Sequence, residues 1–345
     1  PFVSIHLPLY NEKRVVNRLL EAVTSMEYTI PDPQGQLDLE GNPVTIPGFE
    51  VIVCDDSTDE TKDIVNEWKN HPLIKISHRE NRVGFKGAAL KQALTLMDPR
   101  TEFILVFDAD FLPFPDTITQ FLKYFQVSAG SLEYVNSNNQ SSNSKQIPNT
   151  NNQTSKQIGA CNLEFGYSQS SVAAVQGYQW HVLNKSENWI TRGVRTEYAG
   201  SYVVERSSIE ITQGLKQIAG SVFMIRADIL RNPAYSWGTS ITEDFELTLK
   251  LYRDGYKVAY TPYVQAPSEC VSTLKRLVRQ RMRWAEGHSH NIRKLFKQLM
   301  FGRYVEDEIV NEENKFLISN YPNYSKQAPN PNDQNQTNLN INTSV

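Results

Sequence analysis

Four short apolar runs in the first 107 residues, at 3–7, 51–53, 74–76 and 103–107, alternate with segments of helical spacing. The spaced segments are Val15, Val16, Leu19, Leu20 and Val23, then Ile64, Val65 and Trp68, then Ala89, Leu90, Ala93 and Leu94. Runs that are apolar at every position, as at 51–53 and 103–107, suit strands buried on both faces, and Ser4, His6 and Lys75 interrupt the other two only singly. A helix between consecutive strands returns the chain to its starting edge, so such strands lie parallel. The expected fold class is therefore α/β, with a mostly parallel central sheet and helices on both faces. In sheets of this kind ligands gather beyond the carboxyl ends of the strands, which makes the residues after each run the candidates for chemistry.

The second half continues with apolar runs at 172–175, 222–225 and 258–260 and helical patterns at 189–206, 245–252 and 271–299. With 345 residues and 39% hydrophobic content, the chain holds enough apolar side chains for one large domain, expected at 1–300. Residues 31–48 are rich in Pro, Gly and acids and read as a surface loop. Residues 131–158 are mostly Asn, Gln, Ser, Thr and Lys, too polar to offset their ordering entropy, and read as a disordered insertion. They separate one half at 1–128 from another at 159–300. The extension at 301–345 takes on the same composition from about residue 321 and reads as a disordered tail.

A net charge of −3 excludes nucleic-acid binding by bulk attraction. The three cysteines, Cys54, Cys161 and Cys270, are far apart and form no C-x-x-C pair, which suits a reducing compartment rather than a disulfide framework or zinc site. No apolar run approaches the roughly 18 residues of a membrane span. The chain opens on an apolar run without Met, as an excerpt of a longer protein would.

After the first run comes Tyr10-Asn11-Glu12, and after the second Asp55-Asp56-Ser57-Thr58-Asp59. Ser57 or Asp59 can cap the next helix, but two adjacent carboxylates exceed what capping requires, and either can accept from a base or ribose. The fourth run ends in Asp108-Ala109-Asp110. Residues two apart in an extended segment point the same way, so both carboxylates face one spot. Bare, they would repel each other and any phosphate; a divalent cation such as Mg²⁺ or Mn²⁺ resolves this through hard oxygen ligands.

Residues 79–88 carry glycines and bases, including Gly84, Lys86 and Gly87, into a helix, an arrangement equally suited to phosphate contact and to an ordinary basic loop. Thr242-Glu243-Asp244 opens another helix, with Thr242 as its expected N-cap and Asp244 expected to be held ionised by helix-end N–H groups. Gln280-Arg281-Met282-Arg283-Trp284 lies in a basic helix with eight Lys or Arg and one acid, Glu286, between residues 275 and 297. Its stripe of Leu274, Leu277, Val278, Met282 and Ala285 suits either a membrane surface or the sheet.

In this order the motifs resemble the inverting family 2 glycosyltransferases with a GT-A (Rossmann-like) fold, especially the branch holding cellulose, hyaluronan and mannan synthases. The matching residues are Tyr10 to Glu12, Asp55-Asp56, Gly84 to Gly87, Asp108-Ala109-Asp110, Ala219-Gly220-Ser221, Thr242-Glu243-Asp244 and Gln280-x-x-Arg283-Trp284. The resemblance implies transfer of a hexose from a UDP-sugar to a hydroxyl acceptor in polysaccharide synthesis, or single transfer from a UDP- or GDP-sugar to a lipid or protein. It implies a nucleotide-binding first half and an acceptor-binding second half. Tyr10, Glu12, Asp55, Asp56, Lys86 and Asp108 would bind the nucleotide-sugar, and Asp108 and Asp110 the Mg²⁺ or Mn²⁺. Asp244 would be the general base. Gly220, Ser221, Glu243, Gln280, Arg283 and Trp284 would serve the acceptor and diphosphate. The implied partners are the donor, a glycan or lipid acceptor and, through flanking segments, the cytoplasmic face of a membrane. Nucleic acid is not among them.

Overall fold

The computed structural model describes residues 1–125 and 172–301. The expected insertion at 131–158, Cys161 and the extension beyond 301 lie outside them. The chain begins with β1 (Phe2–Leu9) and α1 (Val16–Thr24), followed by a hairpin of β2 (Thr29–Pro31) and β3 (Thr45–Pro47). Next come β4 (Phe49–Asp55), α2 (Thr61–Glu67), β5 (Ile74–His78), α3 (Phe85–Leu96), β6 (Thr101–Val106) and α4 (Thr117–Leu122). After the gap follow β7 (Val172–His181), α5 (Trp189–Ala199), a π-helical turn at Gly200–Glu205 and α6 (Arg206–Ile211). The described chain ends with β8 (Phe223–Arg226), α7 (Ala227–Arg231), α8 (Glu243–Arg253), β9 (Lys257–Ser268) and α9 (Leu274–Phe301).

Seven strands form one sheet in the order β5-β4-β1-β6-β8-β7-β9. The four strands of the first half are parallel, β7 and β9 are parallel, and only β8 runs antiparallel to its neighbours. The period-two alternation of strand side chains explains how one sheet feeds two cores. Val3, Ile5, Leu7, Val51 and Val53 meet α1, α2 and α4 through Leu19, Leu20, Val65, Ile118 and Phe121. Ile52, Cys54, Ile104 and Val106 face the other way, onto Leu90 and Ala93 of α3 and Leu247 and Leu251 of α8. The chain thus carries helices on both faces of a mostly parallel sheet. Cys54 and Cys270 are buried free thiols.

Two local expectations change. The segment read as a surface loop is at the surface but pairs as the β2–β3 hairpin, with an isolated bridge between Leu37 and Pro43. Asp38 closes its tip, its Oδ1 accepting from the N–H groups of Glu40 at 2.9 Å and Asn42 at 2.8 Å, while Gly41 takes φ +86°. Three-residue strands are too short to show alternation, so the pairing had no sequence signature. In α9 only part of the apolar stripe is covered: Leu277 packs against the cluster of Tyr178, Tyr202 and Tyr260, whereas Leu274, Val278 and Met282 are 52%, 48% and 67% exposed. The buried residues are Gly287, Asn291 and Leu295, one turn apart, on the face that packs against α8. Among the described residues no helix is long and apolar enough to cross a membrane.

Candidate active site

A cavity of about 1620 Å³ opens beyond the carboxyl ends of β1, β4 and β6, closed on the far side by the start of α8 and by α9. Single small-molecule pockets run to roughly 300–1,000 Å³, so this one has room for two substrates. Tyr10, Glu12, Asp56, Lys86, Asp108, Asp110, Gly220, Glu243, Asp244, Gln280, Arg283 and Trp284 all line it. Asp55 and Ser221 do not, although Ser221 accepts from the N–H of Asp108, which does.

Lys86, in the first turn of α3, is the hub. Its Nζ donates to Asp108 Oδ1 at 2.6 Å and to the Gly220 carbonyl at 2.7 Å, and lies 3.6 Å from Glu243 Oε1. Burial works against its charge, but Asp108 and Glu243 outweigh that and hold its pKa above the usual lysine range. Three elements distant in sequence are thereby joined by one ammonium. Gly87 allows the approach, because a Cβ there would stand 2.1 Å from the Gly238 carbonyl oxygen. This glycine serves helix packing.

Asp108 also receives structural support, its N–H donating to Ser221 Oγ at 2.9 Å. Asp110 is pushed up to about 7, first by burial, then by Asp108, with Glu12 and Glu269 adding to it. Glu12 is likewise pushed up to about 7 by burial and by Asp108, Asp59 and Glu269. Negative charge is therefore in excess at this wall of the cavity. No three His, Cys, Asp or Glu side chains among the described residues converge as a complete metal cage. A carboxylate pair in surplus negative charge nevertheless fits Mg²⁺ or Mn²⁺, which retain waters and fill their remaining positions with phosphate oxygens.

The second acidic pair is tied down. Asp55 accepts from His78 Nδ1 at 2.7 Å and from the Ser57 N–H at 3.0 Å. Asp56 is gripped by the Arg79 guanidinium through Nε at 2.6 Å and through Nη2. Arg79 also donates to the carbonyls of Val83 at 3.2 Å and Phe85 at 3.0 Å, fixing the turn into α3. Arg82 then lies over the Tyr10 ring, 3.5 Å from its centroid. As for the expected caps, Asp59 Oδ1 accepts from the Thr61 N–H at 3.0 Å, whereas Ser57 Oγ accepts from Asn11.

At α8 the expectations need correcting. Thr242 occupies the N-cap position, but its side chain makes no capping bond; Oγ1 and the carbonyl instead accept from Asn291 of α9 at 3.0 and 2.9 Å. Gly287 makes this possible, since a Cβ there would lie 2.5 Å from Thr242 Oγ1. Asp244 accepts from the Phe245 N–H at 2.8 Å, the kind of bond expected to keep it ionised. Burial outweighs that bond and the nearby Lys86, and the Asp244 pKa is raised. Glu243 is raised too, by burial and by the charges of Asp244 and Asp108 against the opposing effect of Lys86.

A carboxyl with a folded pKa above its unfolded value binds more protons in the native state. Its contribution is fully present below the unfolded pKa and is lost as pH rises through the folded one. Between the ordinary glutamate range and about pH 7, stability is expected to fall with rising pH. Glu243→Gln is expected to flatten that slope in urea midpoints measured from pH 4 to 8. An unchanged slope would remove Glu243 from the account.

On α9 the stacking partner of Trp284 is Arg281, 4.5 Å from the ring centroid, not Arg283; Arg281 also bonds Glu197 of α5 at 2.7 Å. Arg283 is exposed in the cavity wall. Several lining residues had no signal in the sequence. Glu269, which follows β9, stands against Asp110 and Glu12 and bonds Arg18 at 2.9 Å. His288 Nε2 accepts from Gln217 Nε2 at 3.2 Å, and its ring packs on Phe245 at 4.4 Å. Each reaches the site through tertiary packing, from segments whose local pattern is that of any helix or strand end.

A mostly parallel sheet with its acids gathered in one cavity at the strand ends is the arrangement expected of the GT-A class. The family described as "Glycosyltransferase like family 2" matches residues 43–287, and the chain belongs to that family. Similar proteins include glucomannan 4-beta-mannosyltransferase 1 of Oryza sativa subsp. japonica, 28% identical over 88% of this chain and 49% of the relative. Glucomannan 4-beta-mannosyltransferase 2 of Arabidopsis thaliana is 26% identical over 88% of this chain and 48% of the relative. Beta-monoglucosyldiacylglycerol synthase of Nostoc sp. is 27% identical over 83% and 49%. The chain thus spans about half the length of these relatives. Among solved structures, a Pyrobaculum calidifontis mannosyltransferase in complex with GDP-Man and Mn²⁺ shares the fold, with a TM-score of 0.54 and 18% identity over 86% of this chain and 64% of that one.

Proposed function

We propose that the chain is the catalytic domain of an inverting glycosyltransferase that moves a hexose from a UDP-sugar to a hydroxyl acceptor in polysaccharide synthesis. The observation that carries this reading is the Lys86 hub, which holds the Asp108 end of β6 and the Glu243-Asp244 start of α8 in one cavity. Donor-side and acceptor-side groups then face the same space. The glucomannan mannosyltransferases among the relatives support the polymer product.

In this reading Tyr10 and Asp56 flank the base and ribose, with Asp55 supporting from behind. Asp108 and Asp110 would hold Mg²⁺ or Mn²⁺, which supplies positive charge to the donor diphosphate when bound. Lys86 and Arg283 offer further cationic contacts to the leaving group, and Glu12 borders the donor side. Gly220, Glu243, Gln280 and Trp284 shape the acceptor side, with Ser221 fixing Asp108. Asp244 accepts the hydroxyl proton as the acceptor oxygen bonds the anomeric carbon and the bond to the diphosphate oxygen breaks. A buried carboxylate of raised pKa holds that proton more strongly than an ordinary one.

Single transfer to a lipid is the second reading, favoured by the similarity to the Nostoc lipid glucosyltransferase. Attachment at the cytoplasmic face of a membrane accords with either reading. Met282, Phe296 and Met300 are exposed on the basic α9 and Trp189 at the start of α5, an apolar-and-basic combination suited to an anionic lipid surface. A screen of UDP- and GDP-sugars with Mn²⁺ and either glycan or diacylglycerol acceptors tests the proposal. Turnover of at least one donor, with a product lengthening on the glycan, is expected. A single addition to diacylglycerol alone would establish the second reading, and no turnover of any donor would overturn both.

A further inference from the structure

The loop at residues 219–222 is held in an uncommon shape. Gly220 has φ +75° and Val222 φ +55°, two left-handed residues within three positions. The second is β-branched, for which this conformation is a true outlier that survives only where the surroundings over-determine it. Two buried glutamines of β7 do so. Gln176, fully buried, accepts from the Ala219 N–H at 2.7 Å through Oε1. Its Nε2 donates to the carbonyls of Ser221 at 2.9 Å and Val222 at 3.1 Å. Gln179 Nε2 donates to the carbonyls of Ala219 at 2.7 Å and Ser221 at 2.9 Å.

What the loop presents is the hinge of the whole site. The Ser221 hydroxyl takes the Asp108 N–H, and the Gly220 carbonyl takes Lys86 Nζ. The Gly220 Cα lies so close to Asp244 that a Cβ would stand 3.0 Å from Oδ2. A shift of this loop therefore displaces Asp108, Lys86 and Asp244 relative to one another. We propose that Gln176 and Gln179 are positioning residues for the transfer reaction: they clamp the strained 219–222 loop and so set the distance between the donor-side acid and the base. The proposal rests on the glycosyltransferase reading above for its kinetic arm only.

Gln176→Met keeps the length and burial of the side chain and removes its three clamp bonds; Gln179→Met removes the other two and serves if the first fails to fold. Each variant is expected to lower kcat by about 10- to 100-fold, as small misplacements near reacting groups do, with the donor KM moving less than about threefold. Adding Val222→Gly, which takes positive φ without strain, is expected to recover part of the loss, so the double variant outperforms the single. A purely structural role predicts the reverse, since Val222→Gly also removes a buried side chain. Hydrogen exchange at the Ala219 amide is expected to quicken by about tenfold or more in Gln176→Met and, through loosening of the loop, to quicken in Gln179→Met. Unchanged exchange overturns the clamp whatever the turnover. Faster exchange with unaltered kcat, or a double variant worse than the single, overturns the positioning role. Faster exchange in a protein whose wild type turns over no donor keeps the clamp and sinks the glycosyltransferase reading instead.

Discussion

Asp244→Asn is expected to fold, to bind nucleotide and to lose roughly 10² to 10⁴ in kcat, the range over which a positioned general base acts. The substitution keeps the shape of the side chain and its bond from the Phe245 N–H. It removes one of the mutually repelling carboxylates around Lys86, so stability should not fall. The loss should therefore appear in kcat with little change in donor KM, the pattern of an interaction made in the transition state. The wild-type pH–rate profile should rise across a higher range than an unperturbed aspartate would give, because burial raises the Asp244 pKa. Steady-state kinetics from pH 5 to 9 measure both. Near-normal turnover in the variant would take Asp244 out of the role.

Chelation is expected to abolish transfer, and Mn²⁺ or Mg²⁺ to restore it. Asp108, Asp110, Glu12 and Glu269 share one wall, and all four line the cavity where the diphosphate would sit. A single pair of like charges about 4 Å apart costs about 4 kcal/mol at the effective dielectric of a protein surface, which is roughly a thousandfold in affinity. Lys86 alone does not offset this, since its ammonium is already shared between Asp108, Glu243 and the Gly220 carbonyl. EDTA titration of donor turnover, followed by readdition of each metal, measures the effect. Full turnover in excess chelator would remove the metal from Asp108 and Asp110.

The readable parts of the site were those whose chemistry is local. Asp108 and Asp110 declared themselves as two acids directly after an apolar run, although β6 ends at Val106 and they lie in a turn closed by the Phe111 N–H on the Asp108 carbonyl at 3.2 Å, not on one side of an extended strand. Lys86, Glu243, Gln280 and Trp284 were legible as members of short motifs, and the cavity gathers all of them. Glu269, His288 and Gln176 were not legible, and Arg79 was legible only as one of the bases at 79–88, not as the partner of Asp56. An acid after a strand, a histidine in a basic helix and a glutamine in a buried strand have no local pattern that marks them. Asp56 shows the limit from the other side: the pair with Asp55 was conspicuous, but only the fold revealed that Arg79 already grips it.

The alternation of apolar runs determined a great deal by itself: strand, helix, parallel strand, two covered faces and an edge where acids gather. It did so because strand and helix periods are properties of neighbouring residues, and burial on both faces leaves a continuous apolar run. Tertiary structure decided the rest. The direction of β8, the pairing of the short β2–β3 hairpin and the exposure of most of the α9 stripe depend on partners far along the chain. The protonation of Asp244 was decided there as well. A helix-end bond argues for a low pKa and burial argues for a high one, and the depth of burial is a property of the packed molecule alone.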